Sequence, residues 1–134
     1  AGGKFVAPQK LEQRFITDPY ISQAFIYGDL RPYCVALIVP NLQRVTDYAK
    51  THGLSFTSYG ELLHAPAIHQ MLWERVQALQ RDLAGFEQVK AIALLEQEFT
   101  QAAGELTPTL KAKRSAIAAR YEEVLRRLYS TPHD

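Results

Sequence analysis

Residues 21–39 read ISQAFIYGDLRPYCVALIV, and the fold that we expect is built around this stretch. Its two arms, residues 21–27 and 33–39, are rich in β-branched and aromatic side chains, which favour β-strands. The arms are joined by Gly28-Asp29-Leu30-Arg31-Pro32, in which glycine, aspartate and proline are typical turn residues. The stretch therefore predicts a β-hairpin.

A helix is predicted before the hairpin. Pro8 can occupy its first turn, where the missing N–H costs nothing, and Leu11, Phe15 and Ile16 supply its apolar side. The sequence Thr17-Asp18-Pro19 ends it, because the residue before a proline avoids the helical conformation.

A short helix is predicted after the hairpin. Asn41 is a good N-cap for it, Leu42, Val45 and Tyr48 belong to it, and Gly53 favours its termination.

The next segment predicts two helix starts. Ser58 and Glu61 have the S-x-x-E spacing of a capping box, and Pro66 can open or kink a longer helix. That longer helix has an apolar stripe, which Gly85 ends. The stripe consists of Ile68, Leu72, Val76, Leu79 and Leu83.

The last third of the chain predicts a strand, a loop and a final helix. The strand covers residues 89–95, and the loop contains Gly104 and Pro108. The final helix has one apolar face, formed by Ile117, Tyr121, Val124, Leu125 and Leu128. The order of elements indicates an α+β fold, in which helices flank a small sheet made of the hairpin and a third strand.

The composition indicates one soluble globular domain of 134 residues, with 47% hydrophobic and 22% charged residues. Fifteen basic residues against fourteen acidic ones leave a net charge of +1, which does not indicate a polyanion or membrane partner. The sequence has no apolar run of the roughly 20 residues that a membrane-spanning helix needs. The chain starts at Ala1 without an initiator methionine or a signal pattern, so we expect a piece from within a longer protein.

Two loops are candidates for chemistry. In Gly2-Gly3-Lys4, the glycines let backbone amides approach a ligand closely and the lysine adds charge, although a plain turn explains the same pattern. Residues 106–114, LTPTLKAKR, place three cations before a helix, where they could hold phosphates or simply be a solvated basic helix start.

The remaining chemical side chains favour structural roles. His64 and His69 lack the i, i+4 spacing of a zinc helix, so surface positions and no metal site are expected. Cys34, the single cysteine, excludes an intramolecular disulfide and is predicted to be a small buried core residue. Met71 and Trp73 are assigned to packing on the long helix.

Taken together, the two loops resemble the signature segments of the C-terminal domain in the adenylate-forming acyl-CoA synthetase superfamily, and its long-chain fatty acid CoA ligase branch most. The sequence from Gly2-Gly3-Lys4 to Leu11-Glu12 is similar to the family's stretch beyond the interdomain hinge. Residues 20–24, 28–29 and 36–40 resemble its strands. The loop of residues 106–114 is similar to its final motif, with Leu110 in place of a usual glycine, a feature of the long-chain branch.

The resemblance implies a mobile lid domain in a two-step reaction. A fatty carboxylate attacks the α-phosphorus of ATP, which gives acyl-adenylate and pyrophosphate, and the thiol of CoA then takes the acyl group and releases AMP. Lys111 would be the catalytic lysine of the first step. The domain would then rotate on its hinge and present its CoA contacts, which are Gly2, Gly3, Lys4, Lys113 and Arg114.

The resemblance also implies that the chain is incomplete as an enzyme. Its partner would be a large N-terminal AMP-binding domain of the same protein, which would hold Mg²⁺ and most of the ATP and fatty acid contacts. We therefore expect the isolated chain to be inactive. The expected location is the cytoplasm, with peripheral membrane association of the parent left open.

Two other functions stay open. The parent could be an acyl-acyl carrier protein synthetase, because acyl carrier protein also offers a pantetheine thiol. Alternatively, the chain could be a basic module for nucleic acid or anionic lipid, although the small net charge and the interrupting Glu122 and Glu123 disfavour this. Its cations would be Lys111, Lys113, Arg114, Arg120, Arg126 and Arg127.

Overall fold

A three-stranded mixed sheet forms the centre of the computed structural model, which describes residues 7–28 and 31–130. Strands β1 (Ile21–Tyr27) and β2 (Cys34–Pro40) pair antiparallel, and β3 (Val89–Leu94) pairs parallel with the other edge of β2. The predicted hairpin and third strand are thus confirmed.

Six helices accompany these strands within the described residues. Helix α1 (Pro8–Phe15) precedes β1, while α2 (Leu42–Thr51), α3 (Tyr59–Leu63) and α4 (Pro66–Leu79) connect β2 to β3. Helices α5 (Arg114–Arg120) and α6 (Glu122–Ser130) follow a long loop after β3. The predicted α+β fold is confirmed. None of the helices in the described ranges is long and apolar enough to cross a bilayer.

Strand β2 is buried along its whole length because both faces of the sheet are covered. Its side chains alternate between two hydrophobic clusters, as the geometry of a strand requires. Cys34, Ala36 and Ile38 pack with α1 to α4 in the first cluster. Val35, Leu37 and Val39 pack with α5, α6 and Phe99 in the second cluster. The sheet therefore holds the N-terminal and C-terminal parts of the chain in one body.

Several predicted helix ends are confirmed in detail. Pro8 is at the start of α1, and the Asn41 side chain accepts a hydrogen bond from the backbone N–H of Arg44 at 3.0 Å. Gly53 has a φ of +68°, a left-handed conformation that suits glycine and follows the end of α2. The capping box is only half formed. The Ser58 hydroxyl accepts from the N–H of Glu61, but the Glu61 carboxylate bonds to Thr57.

The prediction that the long helix continues to Leu83 is wrong, because α4 ends at Leu79. The next residue, Gln80, is buried, and its side-chain amide forms two hydrogen bonds with the backbone of Val89, at 2.8 and 2.9 Å. This pairing ties the chain to the start of β3. A 3₁₀ turn, Gly85–Glu87, completes the connection.

The prediction of one final helix is also wrong, since a break at Tyr121 separates α5 from α6. Tyr121 has φ of −106° and ψ of 25°, and its ring packs edge-on against Phe99. Ile117 and Leu125, on either side of the break, are both buried in the second cluster. Acidic side chains at the start of α6 suit the positive end of its dipole.

Candidate functional site

Lys111 lies in a small hydrogen-bonded turn that an antiparallel bridge between Leu106 and Ala112 closes. The N–H of Thr107 donates to the carbonyl of Lys111 at 2.8 Å, and the N–H of Leu110 donates to the carbonyl of Thr107 at 2.8 Å. The Thr107 hydroxyl also accepts from the N–H of Lys111 at 3.0 Å. The backbone at Lys111 is therefore held on both sides by Thr107.

The side chain of Lys111 is exposed, and within the described ranges it forms no ion pair. A fixed backbone combined with an available ammonium is an arrangement that can present positive charge to an incoming anion.

Leu110 is in the left-handed region, with a φ of 65°, and is the single non-glycine residue with positive φ in the described part of the chain. The side chain is 66% exposed, so packing contributes little to holding this conformation. Left-handed backbone costs an L-residue about 1–2 kcal/mol, whereas glycine adopts it freely. The turn that presents Lys111 thus needs a conformation that glycine provides more cheaply than leucine.

We expect Leu110→Gly to increase the free energy of unfolding by up to about 1 kcal/mol, because relief of the left-handed strain exceeds the entropy that glycine adds to the unfolded chain. Urea denaturation of the 134-residue chain measures this. Leu42→Gly is the matched control: Leu42 is 56% exposed but lies in α2, so glycine there should destabilise. An equal loss of unfolding free energy in both variants would contradict the strain assigned to Leu110.

Glu105 is a buried residue that holds the end of the Lys111 turn. Its side chain is 2% exposed, and its carbonyl accepts from the N–H of Lys113 at 2.8 Å. One carboxylate oxygen accepts from the N–H of Thr100 at 3.1 Å. The other lies 3.3 Å from an Arg120 nitrogen, an ion pair without hydrogen-bond geometry. Sequence analysis missed Glu105, since no local pattern marks a glutamate that tertiary packing buries.

Arg114, the first residue of α5, turns inward. Its guanidinium donates to the Glu12 carboxylate at 2.5 Å and to the carbonyl of Ile26 at 3.3 Å. Lys113, one residue earlier, is exposed. Contact of either residue with CoA stays a prediction, and Lys113 is the more accessible of the two.

The six cations of the alternative basic module do not form one open surface. Arg114 pairs with Glu12, Arg120 with Glu105, and both Arg126 and Arg127 with Glu123. Because four of the six charges already face carboxylates, the arrangement disfavours a site for a polyanion.

Gly2, Gly3 and Lys4 lie outside the described residues. The description of the chain starts at Ala7, and α1 begins at the next residue. The role predicted for these three residues in CoA binding therefore stays a prediction.

The side chains assigned to structure have structural surroundings. Cys34 is fully buried, and burial raises the pKa of its thiol, so its prediction as a core residue is confirmed. His64 and His69 are exposed, with ring nitrogens 2.8 Å from the carbonyl of Gly60 and 3.2 Å from that of Ile92. Met71 and Trp73 pack in the first cluster. No group of three or more His, Cys, Asp or Glu side chains in residues 7–28 and 31–130 could hold a metal ion.

A cleft of about 650 Å³, which sequence analysis did not predict, opens beside Glu105 and Arg120. Glu96 and Glu98 also line it, so its charge disfavours phosphate. The hydroxyl of Tyr59 is buried here without a hydrogen-bond partner in the described structure. Burial, with a smaller effect from Glu96, raises the pKa of Tyr59 to about 12. The cleft is therefore distinct in chemistry from the exposed Lys111 turn.

Comparison with protein families assigns the chain to a known class. A family model described as "AMP-binding enzyme C-terminal domain" matches residues 1–133. The chain belongs to this family, as its resemblance to adenylate-forming enzymes predicted.

The curated relatives of the chain include long-chain acyl-CoA synthetases and ligases. The chain is 32% identical over 133 residues to "Long chain acyl-CoA synthetase 7, peroxisomal" of Arabidopsis thaliana. The match covers 97% of this chain and 19% of the relative. It is 33% identical over 133 residues to the human "Long-chain-fatty-acid--CoA ligase 6", with the same shares covered. The chain thus spans about a fifth of the length of these curated relatives.

Solved structures agree with the fold. The adenylation domain of a carboxylate reductase from Mycobacterium chelonae superposes with a TM-score of 0.79 at 26% identity, over 98% of this chain and 19% of that one. A two-domain fragment of carboxylic acid reductase from Segniliparus rugosus, in complex with AMP, has a TM-score of 0.76 at 28% identity, over 96% of this chain and 16% of that one.

Proposed function

We propose that this chain is the mobile C-terminal lid domain of an ATP-dependent long-chain fatty acid CoA ligase. Family membership over residues 1–133 and the names of the curated relatives support this assignment. The structural observation that carries it is Lys111, exposed on a turn whose backbone is held by Thr107 and Glu105.

Lys111 acts in adenylate formation. Its ammonium bridges the fatty carboxylate and the α-phosphate while the carboxylate oxygen bonds to phosphorus and pyrophosphate leaves. The negative charge on the phosphate oxygens grows in this step, so a cation that is already in place lowers the barrier without reorganisation. The hydrogen bonds around Thr107 provide that placement for the backbone of Lys111.

The second step uses residues near the start of the sequence together with Lys113. After rotation, Gly2 and Gly3 face the pantetheine arm of CoA, where the lack of side chains leaves room for the thiol to reach the acyl-adenylate. Lys4 and Lys113 contact CoA phosphates. Arg114 belongs to the same proposed set, but its guanidinium is already paired with Glu12.

The remaining groups belong to a larger N-terminal AMP-binding domain, which is the partner of this chain within one protein. It holds Mg²⁺ and supplies the pockets for ATP and the fatty acid. The chain spans about 19% of the length of its relatives, which supports the distribution of the active-site groups over two domains. Alone, the chain is inactive, because it cannot enclose the acyl-adenylate.

The acceptor distinguishes the proposed function from its alternative. The full-length protein should form a thioester from a long-chain fatty acid, ATP and CoA, and holo-acyl carrier protein in place of CoA should give little product. The measurement is thioester yield with each acceptor at equal thiol concentration. Product formed with the carrier protein but not with CoA would identify an acyl-acyl carrier protein synthetase instead.

A further inference from the structure

Glu12 is a nearly buried carboxylate whose two oxygens are both used. It lies on α1 with 9% exposure, and one oxygen accepts from the backbone N–H of Ile26 in β1 at 2.7 Å. The other accepts from Arg114 at 2.5 Å. Burial raises the pKa of Glu12, and the hydrogen bonds from Arg114 and Ile26 oppose that rise. The carboxylate is thus a junction between α1, β1 and α5.

Arg114 completes the junction from the other side. One guanidinium nitrogen donates to Glu12 and another to the carbonyl of Ile26, so a single strand residue is contacted by both partners. The guanidinium also lies 5.3 Å from the centre of the Phe25 ring. These contacts define the position of the first residue of α5 against the sheet.

Arg114 follows Lys111 by three residues, and the link between them is short and constrained. Lys113 donates its N–H to the carbonyl of Glu105, and the carbonyl of Lys111 accepts from Thr107. The Lys111 turn therefore leads directly into a helix start that Glu12 holds. A shift of α5 would be passed to the turn, because few residues separate them to absorb it.

We propose that Glu12 and Arg114 are positioning residues for Lys111 in adenylate formation. The inference rests on the function proposed above. A misplacement of about 1 Å in a catalytic group can cost about a hundredfold in rate. In adenylate formation the pair accordingly acts through the placement of Lys111, without touching the fatty acid or ATP.

The chain offers a closely matched ion pair that lacks this connection. Asp18 accepts from Arg75 at 2.9 Å and from the N–H of Tyr20 at 2.8 Å. The Asp18 and Arg75 side chains are 10% and 36% exposed, against 12% and 33% for Glu12 and Arg114. Arg75 even stacks on Tyr20, 4.4 Å from the ring centre. This pair joins the segment before β1 to α4 and includes no residue of the Lys111 turn.

The test compares Glu12→Gln with Asp18→Asn in the full-length protein. Each change removes one charge and keeps the shape, and the glutamine oxygen can still accept from the N–H of Ile26. We measure the melting temperature, the rate of acyl-adenylate formation from fatty acid and ATP, and the rate of thioester formation from supplied acyl-adenylate. Glu12→Gln should slow adenylate formation by about tenfold or more. The rate of thioester formation from supplied acyl-adenylate should stay within about twofold of its original value.

Asp18→Asn should lower the melting temperature similarly and leave both rates unchanged. Should Glu12→Gln fail to fold, Glu12→Asp, which keeps the charge but shortens the contact, takes its place in the comparison. Unchanged adenylate formation in the Glu12 variant, or equal slowing in the Asp18 variant, would overturn the proposal. Lys111→Ala, measured in parallel, tests the underlying function separately, since normal adenylate formation there removes the role of Lys111 itself.

Discussion

In the full-length protein, Lys111→Ala should slow acyl-adenylate formation by about a hundredfold or more, because a preorganised donor at the point where charge develops is lost. Thioester formation from supplied acyl-adenylate should stay near its original rate, since the proposed rotation withdraws Lys111 before CoA reacts. Fatty-acid-dependent release of pyrophosphate in a single turnover measures the first step. Incubation of the variant with acyl-adenylate and CoA measures the second.

Lys113→Ala is the matched control for this experiment. Lys113 is also exposed and lies two residues away on the same loop, but it is proposed to contact CoA. It should therefore leave adenylate formation almost unchanged. Neither substitution should change the melting temperature appreciably, as both side chains are exposed and form no ion pair among the described residues. Normal adenylate formation by Lys111→Ala would contradict the proposed role.

Gly3→Leu should have the opposite profile, with thioester formation reduced on the order of a hundredfold and adenylate formation retained. The physical reason is steric: a leucine side chain would narrow the proposed channel through which the pantetheine thiol reaches the acyl-adenylate. The measurement uses the same two assays. The rate of thioester formation should fall even at saturating CoA, because the bound thiol no longer reaches the acyl carbon.

Gly3→Ala provides a graded control. Its single methyl group should reduce thioester formation less than leucine does, if space is the limiting property. Equal loss of both half-reactions in Gly3→Leu would count against a specific role for this segment in the CoA step.

These two substitutions together test the central feature of the proposal, which is one small domain that serves two half-reactions with different residues. Opposite profiles for Lys111→Ala and Gly3→Leu would separate the two roles on one domain. Glu12→Gln is expected to slow the first step, as Lys111→Ala does, because Glu12 is proposed to act through Lys111.

The predictions of secondary structure succeeded where local chemistry is decisive. The β-branched and aromatic arms of the hairpin, the N-cap at Asn41 and the helix start at Pro8 all depend on residues close in sequence. The two failures, at Gln80 and Tyr121, have a common cause. Gln80 leaves the helical path because its amide pairs with Val89, and Tyr121 marks a break where its ring meets Phe99. Val89 belongs to β3, and Phe99 lies in the loop before the Lys111 turn, so neither partner is visible from the local sequence of the helix.

The candidate site divides in the same way. The motif around Lys111, and the unusual leucine before it, are visible in the sequence because they are contiguous. The left-handed backbone of Leu110, the buried anchor at Glu105 and the pairing of Arg114 with Glu12 are not visible there. Glu12 and Arg114 are separated by 102 positions and meet only because the sheet brings α1 and α5 together.

The sequence by itself thus determined the class of fold, the family and the identity of the exposed lysine, since each is encoded in local patterns or contiguous motifs. The tertiary structure alone decided which charges are available and which are already neutralised by a partner. Burial and pairing depend on which elements the sheet packs together, and that information is spread over the whole chain.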